Sequence, residues 1–363
     1  MMKNNKLWLY AGVRANDGAL LQYSFDRENC RLDKNGIVGT LHNVAFLICS
    51  GNALYASSLD EMERNLFSAY EIADDGAVCL LNRTTGTGFD ATHMALNRHK
   101  GVLVASDFLA HSLLIYEIRK NGALGACRDL VRFDAAGSEI GPRQDSPHPH
   151  CTAIAEDGSF LLTADLGCDR LWWTNLAGQS SISGSLPLKP GSGPRHIALH
   201  PSMDYAYLIS EISSDVFVFR IGKEANKLEL IQQMSNLRKG PGGSIGGDIT
   251  LSPDGRFLLA SNRGENTVVV YRICGDGRLE YSSYAETDGW VRILHFDSRS
   301  EYLFAGLEEF LDVGAYTFSE ERCRGDGGLQ VFKLDETAGA LLNTGIREYI
   351  SRAYAFAISE GEN

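Results

Sequence analysis

Apolar residues recur along the chain in short runs, separated by clusters of Gly, Asp, Asn and Ser. Four stretches lie beneath one another: THMALNRHKGVLVASDFLAHSLLIYEI (92–118), HCTAIAEDGSFLLTADLGCDRLWWTNL (150–176), HIALHPSMDYAYLISEISSDVFVFRI (196–221) and DITLSPDGRFLLASNRGENTVVVYRI (248–273). Each passes through an apolar run, a polar turn, a second apolar run, a short polar loop and a third, alternating run. A fourth run follows, as in LELIQQ (228–233) and RLEYSS (278–283). Weaker copies begin at VAFLICSGNALYASS (44–58) and RILHFDSRSEYLFAG (292–306). Runs of this length with such punctuation predict strands, and helical periodicity is missing. A repeat of roughly 45–50 residues carrying four strands predicts one propeller blade per unit.

The chain ends predict closure. KLWLYAG matches the second strand of a blade, ALLQYSF the third and CRLDKNG the fourth, while SRAYAFAIS (351–359) resembles PRHIALHP, a first strand. The expected architecture is therefore all-β: a seven-bladed β-propeller of four-stranded blades, with blade one sewn from both termini and residues 1–363 forming a single domain. Such closure removes two open sheet edges, which are sites of aggregation.

Blade geometry sorts the polar residues. Loops leading into the first strand share a face with loops joining the second strand to the third, and turns such as SPDG lie on the other face, where Pro, Asp and Gly serve backbone geometry. His93, His148, His150, Arg195, His196, Asp248, Arg292 and Arg352 then stand at first-strand starts, and Asp165, Glu211, Arg263 and Glu308 at the second-to-third loops. Laying the repeats together sets His150 beside His196 and Asp165 beside Glu211, then His196 beside Asp248 and Glu211 beside Arg263. Arg292 falls in the place of Arg195. All of these rim one mouth of the channel, a concave site with convergent polar groups. Asp165 and Asp169, in DLGCDR, read instead as residues that lock the loop.

Charge and composition narrow the partners. A net charge of −12 without a basic run argues against nucleic acid and against a polybasic membrane patch. No apolar run nears the ~20 residues that span a bilayer, and the start carries no signal-peptide pattern. The eight cysteines are scattered, which predicts reduced thiols and a cytoplasmic location. His148-Pro149-His150 has metal-ligand spacing but lacks an evident third ligand, so neither a metal nor any other cofactor is expected. GTGFDA (86–91) precedes a strand rather than a helix and is no dinucleotide fingerprint. No Gly-x-Ser-x-Gly elbow is present.

The motifs RQDSPHPH, TADLGCDRLW, GPRHIALHP, YLISEISS and LSPDGRFLLASNRGENTVVVY, in this order, resemble the seven-bladed β-propeller lactonase family. Its members include propeller-type 6-phosphogluconolactonase and the fungal carboxymuconate lactonising enzyme. The resemblance is dense over about residues 90–295. It implies a catalytic site of His148, Arg195, Glu211 and Arg263; His150, His196, Arg292 and Asp248, set at the same mouth by the repeat alignment, are expected to bind substrate. The implied reaction is hydrolysis of an anionic sugar lactone by acid/base catalysis without a metal. His148 would act as base or acid, Glu211 would orient it or the water, and the arginines would hold the anion. The alternatives are isomerisation of a muconate-type carboxylate to a lactone and a non-catalytic binding propeller. A monomer or weak homo-oligomer is expected. Three departures bear on the substrate: Gly247-Asp248 replaces the family's Ala-Glu, blade three reads SDFLAHS (106–112) where the family commonly has an Asn-Tyr pair, and residues 307–327 form a long second-to-third loop that would overhang the mouth as a lid.

Overall fold

The computed structural model describes residues 5–89, 91–141, 143–222, 228–240, 243–309 and 326–360. They form seven antiparallel four-stranded sheets in a ring, and no helix occurs among them. The second strand of each blade is covered on both faces, which is why it reads as a continuous apolar run: Val102–Asp107 and Phe257–Arg263 are buried at every position. Outermost strands have one wet face, and Leu228–Ser235 and Leu279–Glu286 alternate accordingly.

Blade one is closed as expected. Ala353–Ser359 pairs with Lys6–Val13, setting Trp8 opposite Ser359 and Ala11 opposite Phe356. Its inner strand packs on those of blades two and seven, so the ring of inner strands is complete. Between blades the core is aliphatic and aromatic. Tyr207, Ile209 and Val218 of blade five, for example, pack on Ile249, Leu258 and Ala260 of blade six. The SPDG turn behaves as its residues dictate: Gly255 has φ 72° and Ser252 Oγ donates to Asp254 Oδ1 at 2.6 Å.

One irregularity recurs and positions the site. At the start of every inner strand the pairing slips, leaving residues without an opposite number. The skipped residues are Thr92 in blade three, His150 in four, Arg195 in five, Gly247 and Asp248 in six, Arg292 in seven and Tyr354 in one. A bulge of this kind re-aims a side chain that a regular strand would direct elsewhere.

These registers test the repeat alignment. His196 is in register with Asp248, Glu211 with Arg263, and Arg195 with Arg292, as expected. Between blades four and five the expectation was one residue off. Pro149 faces Asp165 as Pro194 faces Ser210, so His150 is equivalent to Arg195, and Asp165 to Ser210. In a strand a one-residue slip exchanges the two faces. Most of the expected lid falls outside the described residues, which include only 307–309 and 326–327 of it. Among the described residues no helix is long and apolar enough to cross a membrane, and the seven cysteines there are unpaired.

Candidate functional site

The site centres on Glu211, which is 1% exposed and immediately follows the second strand of blade five. The loop before that blade's inner strand sets its position. Asp169 accepts the amides of Gly191 and Gly193 at 2.6 Å each, Gly193 turns at φ 62°, and its carbonyl accepts the Glu211 amide at 2.6 Å. Asp165 ties the preceding loop the same way, accepting the amides of His148 (2.7 Å), Gly167 and Cys168 and the indole of Trp172. Both aspartates lock loops, as their sequence context predicted.

Three guanidinium groups hold the Glu211 carboxylate. Arg195 Nε donates to Oε2 at 2.9 Å and Arg263 Nη2 to the same oxygen at 2.6 Å, while Arg143 Nη2 meets Oε1. Arg195 is fully buried and fixed further by donating from Nη1 to the Gly247 carbonyl (2.8 Å) and to His196 Nε2 (3.1 Å). Glycine is required at 247, because a Cβ there would lie 2.4 Å from both Ser261 Oγ and the Val291 carbonyl. Burial first, and then the charges of Arg263 and Arg292, work against the Arg195 cation and pull its pKa well below the guanidinium range. The charges of Asp248 and Glu308 offset part of this, and Glu211 is the ion-pair partner at Nε. Arg195 Nη2 is buried and, among the described residues, has no hydrogen-bond partner.

Around this core the charges alternate. Glu308 Oε2 stands 3.7 Å from both Arg263 and Arg292. Burial would raise the Glu308 pKa, but Arg292, Arg263, Arg195 and Arg14 together hold it below the ordinary value. The Arg292 guanidinium lies 3.7 Å from the centre of the Tyr354 ring.

The histidines form the other wall. Because arginine only donates, His196 Nε2 is an acceptor and its proton sits on Nδ1, which donates to Asp248 Oδ1 at 2.6 Å. Asp248 also accepts the amides of Ile249 and Leu294. His150 lies edge-on to His196 (ring centres 5.2 Å) and its Nδ1 is buried without a hydrogen-bond partner among the described residues. His148 stacks on Phe108 at 4.3 Å, with Nδ1 on the Phe108 carbonyl at 2.9 Å and Nε2 toward Asp145 and Ser146. Burial, followed by neighbouring positive charge, puts the pKa of His93 and His150 well below 6.5 and that of His196 at about 4. Among the described residues no set of three His, Cys, Asp or Glu is arranged to hold a metal ion.

Neutral buried histidines make stability depend on pH. In the unfolded chain they protonate near pH 6.5, and in the folded protein only at lower pH, so the unfolded state binds more protons between these limits. Stability is therefore complete above about pH 6.5 and falls as pH drops toward about 4. Asp248 and Glu308, held below their ordinary values, lose their contribution only at still lower pH. Urea midpoints at about pH 7.5 and about pH 5 check this, and equal midpoints would contradict it.

Residues 8–344 match the model of the seven-bladed β-propeller lactonases. The chain belongs to that family. It is 27% identical over 342 residues to the 6-phosphogluconolactonase of Bacillus subtilis (strain 168), covering 92% of each chain. It is 28% identical over 265 residues to the 6-phosphogluconolactonase of Formosa agariphila, covering 69% of this chain and 74% of that one. The fold is also that of the Pseudomonas aeruginosa periplasmic gluconolactonase, with a TM-score of 0.83 at 20% identity, covering 97% and 99% of the two chains.

Of the residues expected in the site of this lactonase-family propeller, Arg195, Glu211, Arg263, His196, Asp248 and Arg292 form one connected set with His150 against it. His148 does not bond to Glu211; the Phe108 carbonyl orients it instead. Arg352, expected at the rim near Arg292, is an exposed turn residue, and Tyr354 occupies the bulge. Three residues were missed. Arg143 comes from the connection between blades three and four, where no repeat exists to align. Phe108, over which Arg143 lies at 5.8 Å, offered no chemical signal. Arg14 follows KLWLYAGV as Arg263 follows FLLASN, and extending the alignment to blade one would have found it.

Proposed function

We propose that the protein hydrolyses an anionic sugar lactone, with 6-phosphogluconolactone as the first substrate to test. The observation that carries this reading is Arg195 Nη2, a buried cationic N–H without a partner among the described residues. It supports a role as the donor that receives the oxyanion when water adds to the lactone carbonyl. Its guanidinium is already fixed at Nε and Nη1, so little reorganisation accompanies the reaction.

The base in this reading is His150. A neutral imidazole with an unpartnered Nδ1 takes a proton from water as the oxygen attacks the carbonyl. When the tetrahedral intermediate collapses, the carbonyl–ring oxygen bond breaks and the imidazolium returns the proton to the departing oxygen, giving the hydroxy acid. Burial depresses His150 most, and the charges of Arg195, Arg292 and Arg143 add to it; an anionic substrate offsets the charge contribution and so raises its basicity once bound. Glu211, clamped by three arginines, is a poor base and serves to hold Arg195 and Arg263. Asp248 acts through His196, and His148 supports the Phe108 face on which His150 and Arg143 rest.

Purified protein should hydrolyse 6-phosphogluconolactone well above the buffer rate and should leave the ultraviolet absorbance of a muconate unchanged. A rate equal to buffer would end the lactonase reading. On unphosphorylated gluconolactone, where no phosphate titrates, the acid limb of kcat/KM should lie below the ordinary histidine value of about 6.5. An acid limb at or above that value, with His148→Gln losing more activity than His150→Gln, would move the base to His148.

A further inference from the structure

The rim of the mouth changes character from blade to blade. In blades five, six and seven the residue that leaves the second strand is Glu211, Arg263 and Glu308 in turn. The same register puts Phe108 there in blade three and Leu166 in blade four, both buried. Exposure divides the rim in the same way. Among the described residues, the exposed large apolar side chains lie either on outermost strands or at four positions in mouth-side loops: Met62, Phe89, Leu109 and Ile140. These four belong to blades two and three and to the connections leading into blades three and four, and they are 73, 59, 53 and 65% exposed. Apolar side chains gathered in water beside a ligand site mark a surface on which something apolar rests.

The charged and apolar halves meet at Phe108. Its ring lies edge-on to His150 (centres 5.6 Å), and the Arg143 guanidinium, which also meets Glu211, stands 5.8 Å from its centre. Leu109 follows Phe108, and Phe89 is tied to the same turn. Its amide donates to Asp107 Oδ2 at 3.1 Å, and a Cβ on Gly88 would lie 3.0 Å from Ala110 Cβ. We propose that the mouth also binds an amphipathic carboxylate, a single carboxylate on an unbranched hydrocarbon chain, with its head at Arg195 and Arg143 and its chain over Phe108, Leu109 and Phe89. This goes beyond lactone hydrolysis and does not depend on it. Guanidinium groups hold the head by charge-assisted hydrogen bonds, and removal of apolar area from water on both sides holds the chain. The far end of the chain carries no charge. Glu61 and Glu63 flank Met62 and Glu139 precedes Ile140, all exposed, while Arg64 beside them is paired with Asp60. A second carboxylate at that end would meet like charge.

Calorimetry with hexanoate, octanoate, decanoate and suberate is the test. Affinity should rise at least about twofold per added methylene. Suberate, which is octanoate with a carboxylate at its far end, should bind at least about tenfold more weakly than octanoate. Arg143→Gln should weaken the three monocarboxylates alike, by about tenfold. The Leu109→Ser/Phe89→Ser protein changes only exposed side chains and should lose the dependence on chain length while still binding hexanoate. Absence of binding, affinity that does not grow with the chain, suberate bound as tightly as octanoate, or affinities that Arg143→Gln leaves unmoved would each overturn the proposal. So would a chain-length dependence that survives the double substitution, since the chain would then lie elsewhere. A wild type that sediments as a dimer, with the double variant a monomer, would give the apolar half to a second copy of the chain and overturn it too. Lactone turnover is measured separately, so every one of these results leaves the hydrolase reading standing.

Discussion

The Glu211→Gln protein is expected to lose about 3–5 kcal/mol of folding stability, because removing one member of a buried ionic cluster leaves the others uncompensated. Glutamine has nearly the shape of glutamate, so packing is preserved and the change isolates the charge. Three guanidinium groups meet this carboxylate, and two of them, on Arg195 and Arg263, are almost wholly buried. With an amide in its place, one amide oxygen remains to accept, and the amide nitrogen is directed at a cation. Urea unfolding followed by tryptophan fluorescence reads the loss. The Glu211→Gln/Arg195→Met double variant removes a cation along with the anion. It should be less destabilised than the sum of the two single variants, by about 1–3 kcal/mol of coupling. A Glu211→Gln protein that unfolds with wild type would show that the arginines find their counter-charge elsewhere.

What the sequence made legible follows from how each feature is encoded. Blade count and closure rest on apolar runs repeated around the whole ring, and one worn copy, such as the stretch from His42 to Ile72, is carried by its neighbours. Glu211, Arg263, Arg292 and Asp248 were placed correctly because blades five, six and seven each slip at the same point, so their registers stay parallel. The error at blade four has a specific origin. Pro149-His150-Cys151 and Pro194-Arg195-His196 were matched histidine to histidine, although backbone pairing matches the bulged residues, and these differ in chemistry. These bulges lie at strand starts that are buried on both faces, where no alternation of polar and apolar positions exists to reveal them, so likeness of residue type misled where backbone geometry decided. Arg143 was illegible for another reason: its approach to Glu211 is a tertiary event made by a connection without a counterpart in other blades.

The Arg195→Lys protein is expected to retain its fold and lose about 10²–10³-fold in kcat, or about 2.7–4 kcal/mol of transition-state stabilisation, the usual result of removing one oxyanion donor. Lysine keeps the positive charge beside Glu211, so a role confined to charge balance predicts little change. It lacks the planar fork. Arg195 uses Nε for Glu211 and Nη1 for Gly247 and His196, and only Nη2 is left without a partner among the described residues. One ammonium drawn to Glu211 cannot cover these directions at once, and arginine and lysine are not interchangeable at such a site. The decisive readout is the split between constants. An interaction made only in the transition state lowers kcat and kcat/KM together and leaves KM nearly unchanged, whereas loss of simple anion binding raises KM with kcat preserved. Arg263→Lys is the comparison, since both Arg263 Nη2 and Nε already donate to the Gly246 carbonyl and Nη2 to Glu211. It should alter stability more than kcat. A kcat for Arg195→Lys within about tenfold of wild type would remove Arg195 from the chemical step and leave it the task of holding Glu211 and His196 in place.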